Sequence, residues 1–525
     1  MLMKSGGKIM SAEEYRESLR SYSPTVYVDG DLIESVADEP RLAPGIRAVG
    51  VTYDFAQKPE FGGVMLADQA SSGKTVNRML HINRHSEDLL SKLEAVRLLC
   101  RESGCAQRYL THDALNAIYQ STWRMADETS GSEYHSRFLD YLHDIQDRDL
   151  TLGVAMTDAK GERSLRPHAQ SNPDAYVHIS ERRADGIVLS GTKAIVTGGP
   201  YMHELLVMPC RTMLQGDTDF AVCCAVPIDA KGLTVVARPA GRPGQAAAKF
   251  SAQYGQSTAV CHFSDVFVPW DRVFMAGEWD QTEHLVTSYA NHHRHSCIGA
   301  RAGFGDLLIG AGALMTEANG LDMDNVSHLR ETMVELIKIV EGFYACGVAA
   351  SVYGIQDPCG SWMPEPVFSN IGKLLLATQI YDMHRTAHEV SGGLIVALPG
   401  PDEDHNPATA GDLAAVLSAR PDVPYDKRME VSRFIEDLTA SSTGGWYSVI
   451  SLHGGGSPQA MKREIYRRYP VEERKALVER LLDRGVAETG STGAPDRQKQ
   501  PGQCCATGCQ VPDSVKASEQ KSDSE

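Results

Sequence analysis

Residues 291–300, NHHRHSCIGA, place His292, His293, His295 and Cys297 within one short stretch that otherwise reads as helix. On a helix His293 and Cys297 are four apart and share a face, while His292 and His295 are three apart on another. Imidazole and thiol are metal ligands, and imidazole also moves protons near neutral pH. One helix face offers only two ligands, so a metal would need partners from elsewhere, with Cys100 and Cys105 the nearest chemical candidates. The same residues equally make a partly exposed polar face.

Other stretches combine small residues with polar ones. In GVAMTDAKGER, 153–163, the Thr157 hydroxyl, free backbone amides, Lys160 and Arg163 can cradle an anionic or heteroaromatic ligand, or simply link a strand to a turn. GTKAIVTGGPYMHE, 191–204, alternates like a strand and puts Thr197 at its end, able to hydrogen-bond a flavin edge. It equally well reads as strand and turn. Gly392 and Gly393 in VSGGLIVALPG permit close backbone approach to a pyrophosphate, or stop a helix. LHGGGSPQA, 452–460, is a second glycine-rich stop with the same two readings. Arg108, between helical segments, suits a carboxylate, a phosphate or a flavin's negative charge, or pairs with an acid. SSGKT at 71–75 is not a phosphate loop, because the required first glycine is Asp68.

These residues need a large scaffold. With 525 residues, 42% hydrophobic and 23% charged, the chain can bury a sizeable core in two or three regions. A formal net charge of −17 without a clustered Lys/Arg run argues against a nucleic-acid partner and for a small-molecule one. No apolar run of about 18 residues and no signal-peptide core stand out, so no membrane contact and a cytoplasmic location are expected. Nine of the 12 cysteines lie in apolar-looking segments, as reduced buried thiols do. The other three, Cys504, Cys505 and Cys509, crowd a tail that is either a thiol or metal site or without function.

Residues 1–149 read as a helical N-terminal domain, since SEDLLSKLEAVRLLCRES repeats apolar residues at helical spacing. Residues 150–283 change to short apolar runs separated by turn residues, a β-rich middle domain. Over 284–489 helical spacing returns, with Leu329, Met333, Leu336, Val340 and Phe343 as a buried stripe of a C-terminal bundle. Residues 490–525 have almost no large apolar residues and are expected to be a disordered tail. The class is α+β.

Taken together and in order, AMTDAKGER, DGIVLSGTKAIVTG, DVFVPWDRVF, HRHS, GGL and HGGGSPQA resemble the 4-hydroxyphenylacetate 3-hydroxylase and 4-hydroxybutyryl-CoA dehydratase flavoprotein superfamily. The likeness runs over roughly residues 10–480 and is greater to the dehydratase branch. It implies an acyl-CoA dehydrogenase-like fold with a β-barrel-like middle domain. It also implies a homotetramer, a dimer of dimers, with FAD between the β domain and helices of the same and a neighbouring subunit. Carried over, Met156, Thr157, Lys160, Arg163, Val196, Thr197 and Gly198 line the flavin. Ser391, Gly392, Gly393 and Leu394 approach its phosphate or adenosine, and HGGGSPQA, with Ser457 and Gln459, closes the site.

The resemblance also places the four ligands of the dehydratase's iron-sulfur cluster at Cys105, Tyr109, His293 and Ala300, so that two ligands are absent and no metal is expected. A lysine becomes Arg301 and a catalytic glutamate falls on Ile450. Of the hydroxylase branch, Arg108 matches, whereas a tyrosine falls on His112 and a histidine on Val154. The expectation is a flavin-dependent monooxygenase acting on an aromatic or acyl-conjugated small molecule. Reduced FAD or FMN comes from a separate reductase, and Arg108, Tyr109, His112, Thr197 and His293 do the chemistry. The alternative is an acyl-CoA dehydratase or isomerase without an intact cluster.

Overall fold

The computed structural model describes residues 8–128 and 133–487; the cysteine tail lies outside them. Helix α1 (Ala12–Leu19) begins with a reciprocal cap: Ser11 Oγ accepts from Glu14 N at 3.1 Å, and the Glu14 carboxylate accepts from Ser11 N at 2.8 Å. Helices α2 (Ala43–Gln57), α3 (Ser86–Ser103), α4 (Tyr109–Glu128) and α5 (Tyr134–Arg148) follow. Between α3 and α4 the chain turns at Gly104, φ +68°. A side chain there would run into the Tyr447 hydroxyl, so both the turn and the close approach select glycine.

The N-terminal region is not purely helical, which corrects the sequence reading. Strand β1 (Thr25–Val28) lies parallel to β9 (Leu233–Ala237) in the register Thr25↔Thr234, and β2 (Asp31–Leu32) turns back antiparallel on it. The physical cause is legible afterwards: TVYV is rich in β-branched residues, and Val26 and Val28 are buried on one face.

The middle region is two open sheets rather than a barrel. The larger runs β2, β1, β9, β10 (Thr258–Pro269), β6 (Gly186–Thr197), β4 (Thr157–Asp158), with β5 (His178–Arg182) also on β6. The smaller runs β11 (Val273–Ala276), β8 (Val222–Pro227), β7 (Glu204–Val207), β3 (Leu152–Ala155). A barrel requires its first and last strands to pair, and here the larger sheet ends on the two-residue strands β2 and β4. One apolar core runs between the sheets, with Val235, Cys261 and Phe263 from the larger and Leu205, Val207 and Val226 from the smaller.

Helices α6 (Thr282–Ala318), α7 (Ser327–Val352), α8 (Pro366–Ser391), α9 (Tyr425–Thr439), α10 (Ser442–His453) and α11 (Pro458–Arg468) make the C-terminal part. The predicted stripe Leu329, Met333, Leu336, Val340 and Phe343 is buried as expected. Helix α6 is also apolar and long enough to cross a membrane by composition, but most of its apolar stretch is buried against the rest of the chain, as in a core helix. It crosses α3 closely: side chains at Gly299 and Gly303 would meet the carbonyl oxygens of Leu93 and Arg97 at 2.8 and 2.5 Å. That crossing brings α6 and α3, with the loop after α3, around one buried polar cluster. Beyond Tyr469 a separate unit holds helix α12 (Val471–Ala487).

Candidate functional site

The cluster is centred on His293. Its Nδ1 lies 3.2 Å from Asp113 Oδ2 on α4 and its Nε2 3.6 Å from Cys297 Sγ, one helical turn along α6. The ring lies nearly parallel to those of Tyr289 and Tyr109, with centroids at 5.4 and 6.2 Å. Burial alone would lower the imidazole's pKa, but the Cys297 sulfur and the Asp113 carboxylate outweigh it and hold the value at about 10. Asp113 is itself fully enclosed, accepts from Ser296 Oγ at 2.6 Å and lies 3.5 Å from Lys92 Nζ. Burial would raise its pKa, but Lys92, His112 and His293 hold it well below the carboxylate range.

Not all the histidines of NHHRHSC join this group. His292 Nε2 stands 3.4 Å from Gln120 Oε1, and His295 Nε2 is 2.8 Å from Ser351 Oγ. Burial pushes His292 down to about 3, so it is a neutral core histidine. His112 lies beyond Asp113, with Nε2 3.1 Å from Asn83 Oδ1 and its pKa held at about 4, chiefly by burial. Among the described residues no group of three His, Cys, Asp or Glu is arranged to hold a metal ion.

A second set of buried groups lies beside the first. Tyr109 Oη is 3.2 Å from Cys105 Sγ, and Arg301, with its guanidinium 5.2 Å from the Tyr447 ring centre, faces Cys105 and Tyr109. Among the described residues no carboxylate pairs with Arg301, and its Nη1 and the Tyr447 hydroxyl lack hydrogen-bond partners. Burial would raise the Cys105 thiol, yet the Cys100 thiol, Arg301 and Tyr109 together bring it to about 5. Lys373, buried on α8, donates to Ser451 O at 2.6 Å, and burial lowers it to about 8. The glycine-rich loop covers this centre: a side chain at Gly455 would touch His293 Cδ2 at 3.4 Å and Lys373 Cε at 3.6 Å. Arg294 Nε donates to Gly455 O at 2.9 Å. Ser457 caps α11 through Ala460 N, 3.3 Å, and Gln459 is exposed.

Arg108 is in a different setting. Its Nη2 pairs with Asp149 Oδ1 and donates to the carbonyls of Asp149 and Leu150 at 3.1 Å, with the guanidinium 4.1 Å from the Tyr53 ring centre. Its charge is neutralised inside the scaffold, although Nε and Nη1 remain without partners.

The two strand segments expected at the flavin do meet. Thr157 on β4 pairs with Ile195 on β6, so Met156 and Thr157 lie beside Val196, Thr197 and Gly198. Thr197 is half-buried and pairs with Thr258. Lys160, φ +74°, sits in the turn after β4 and Arg163 is exposed. Gln107 was not legible in the sequence. Its Oε1 accepts from the Tyr201 hydroxyl at 3.0 Å and lies near Gly198, while its buried Nε2 has no partner. An open strand end with a hydroxyl and a free buried amide donor fits the polar edge of a flavin ring. Ser391, Gly392, Gly393 and Leu394 are elsewhere. Asn319, at the far end of α6, donates to Ser391 O at 3.3 Å, on the order of 40 Å of helix from His293.

The positions that the resemblance gives to the cluster do not fit an iron-sulfur cluster. The Tyr109 phenol is hydrogen-bonded to Cys105, and Ala300 is a buried methyl. Neither supplies a thiolate.

Helices flanking a two-sheet middle region define an acyl-CoA dehydrogenase-like fold. The chain belongs to the 4-hydroxyphenylacetate 3-hydroxylase family, whose N-terminal model matches residues 11–275 and whose C-terminal model matches 282–483. It is 35% identical over 491 residues to 4-hydroxybutyryl-CoA dehydratase/vinylacetyl-CoA-Delta-isomerase of Clostridium aminobutyricum, covering 90% of this chain and 99% of that one. It is 23% identical to the oxygenase component of 4-hydroxyphenylacetate 3-monooxygenase of Thermus thermophilus, covering 89% and 96%. Among solved structures, the oxygen-tolerant 4-hydroxybutyryl-CoA dehydratase of N. maritimus superposes with a TM-score of 0.87 at 33% identity, covering 94% of this chain and 98% of that chain. An oxygenase component of 4-hydroxyphenylacetate 3-monooxygenase complexed with FAD gives 0.80 at 21% identity, covering 92% and 100%, a likeness of fold. These relatives are enzymes, and so is this chain.

Proposed function

We propose that the chain is a flavin-dependent monooxygenase acting on a small phenol or acyl-conjugated molecule, with reduced flavin delivered by a separate reductase. The observation that carries this reading is the hydrogen-bonded Tyr109–Cys105 pair, with Ala300, at positions where cluster chemistry needs thiolates. Flavin, when bound, supplies the activation of oxygen. The chain's own part is to hold it and to manage protons. Met156, Thr157, Val196, Thr197, Gly198 and Gln107 hold the ring edge. His293, fixed by Asp113 and two tyrosine rings, exchanges a proton at Nε2 with the substrate hydroxyl. The Gly455 loop shields that exchange from water. Ser391–Leu394, far from His293 in the same chain, suit contact with a flavin held by a second copy.

The test is to supply reduced FAD and isotopically labelled oxygen with candidate phenols and acyl conjugates. Labelled oxygen in an organic product is expected; hydrogen peroxide as the sole product with every candidate overturns the reading. A second reading, flavin-assisted lyase or isomerase chemistry on an acyl thioester, is favoured by the 35% and 33% identical relatives. Anaerobic turnover of 4-hydroxybutyryl-CoA, with about four irons per chain by elemental analysis, would establish it with a cluster; turnover without iron would establish it without one.

A further inference from the structure

His293 is the middle of a hydrogen-bonded line from a carboxylate to a thiol. Asp113 Oδ2, His293 Nδ1, His293 Nε2 and Cys297 Sγ follow one another at 3.2 Å and, across the ring, 3.6 Å. Ser296 and Lys92 hold Asp113, the Tyr289 and Tyr109 rings lie nearly parallel to the imidazole, and Cys297 is one helical turn along α6 from His293. A carboxylate at Nδ1 fixes the tautomer, so that Nε2 is the atom able to take the thiol proton. This is the arrangement that makes a weak nucleophile a strong one.

Two neighbours give the nucleophile a direction. Lys373 and Arg301 are buried cations near Cys297, Lys373 against the same Gly455 position as His293 and Arg301 one turn further along α6, and neither has a carboxylate partner among the described residues. Fixed positive charge beside a nucleophile stabilises the oxyanion that forms when a carbonyl is attacked. Cys297 is also only partly buried, whereas Cys100 and Cys105 are enclosed.

We propose that Cys297 is a nucleophile that takes the acyl group of a small acyl thioester by thiol–thioester exchange. The Cys297 thiolate forms a bond to the carbonyl carbon, and the bond from that carbon to the departing sulfur breaks. The proton held on His293 Nε2 goes to the departing sulfur. The products are acyl-Cys297 and a free thiol; no electrons are transferred and no co-reactant is consumed. This activity goes beyond the monooxygenase reading, because it needs neither flavin nor oxygen.

The test treats the full chain anaerobically, without added flavin, with S-acetyl-N-acetylcysteamine and separately with acetyl-CoA, and locates acetyl groups by peptide mass spectrometry. Acetyl is expected on Cys297 and not on Cys346, a comparably part-buried thiol whose Sγ only donates to Gly342 O at 3.7 Å. C297S removes the label, and H293Q slows it by about tenfold or more. Iodoacetamide should likewise alkylate Cys297 about tenfold faster than Cys346. The proposal is overturned if both thioesters leave Cys297 unlabelled, or if Cys297 reacts no faster than Cys346. Oxygen-dependent turnover of the same preparation separates the two ideas: turnover without acyl transfer removes only this one, and acyl transfer without turnover removes only the other.

Discussion

Arg108 and Arg301 are both buried and both lie over tyrosine rings, at 4.1 and 5.2 Å, yet their surroundings differ in one respect. Asp149 neutralises Arg108, while Arg301 has thiol and phenol neighbours and, among the described residues, no carboxylate partner. A buried ion pair holds its elements in place, and its charge is already spoken for. A buried cation without a carboxylate costs stability and is kept where an anion or a developing negative charge arrives. Arg108 is thus ion-paired within the scaffold, while Arg301 lies beside Cys105 and Tyr109.

The largest effect should come from breaking the paired arginine. Asp149→Asn leaves Arg108 buried without its counter-charge and should lower stability by about 3–5 kcal/mol, read in urea unfolding. Arg301→Met, by contrast, should leave stability unchanged or slightly higher while abolishing turnover. Equal losses in the two variants would erase the distinction.

Next comes pH. His112 and His292 are held at about 4 and about 3, mainly by burial. Their unfolded values are about 6.5, so the unfolded chain binds more protons as pH falls below that and stability drops toward pH 4. His293, raised to about 10, has the opposite sign. Its contribution is complete below about pH 6.5 and is lost as pH rises through 10. Unfolding midpoints measured across pH should therefore fall on both sides, and H293Q should flatten the alkaline side only. An unaltered alkaline limb in H293Q would mean that His293 carries no such charge.

The smallest effects separate the two glycine-rich stops. Gly455, φ +77°, lies against His293, whereas a side chain at Gly393 meets nothing within 4 Å. Gly455→Ala should cost about 1 kcal/mol in stability and reduce turnover, and Gly393→Ala should leave the isolated chain's stability within about 0.5 kcal/mol. If Gly393→Ala also impairs turnover, contact with a second copy is the explanation to test, by measuring flavin affinity against protein concentration.

Much of the scaffold was legible. The stripe from Leu329 to Phe343 and the alternation in GTKAIVT are local patterns, and burial follows them directly. The strand at Thr25–Val28 escaped because four residues carry little periodicity, and its partner Thr234–Ala237 is more than 200 positions away. The barrel expectation failed for a related reason: closure depends on whether edge strands pair, which no single strand encodes.

The site divides in the same way. The sequence by itself determined that His293 and Cys297 share a helix face, that Tyr109 and Ala300 are not thiolates, and that glycine-rich turns lie at 392–393 and 454–456. Those facts depend on residue type and helical spacing alone. Only the tertiary structure decided that Asp113 completes the His293 line and that Lys373 comes to the same Gly455 loop as His293. It also decided that one of the two glycine stops closes on His293 while the other does not. Each of those depends on which helices cross, and α6 crosses α3 closely only because Gly299 and Gly303 admit the backbone of Leu93 and Arg97, more than 200 positions earlier in the chain.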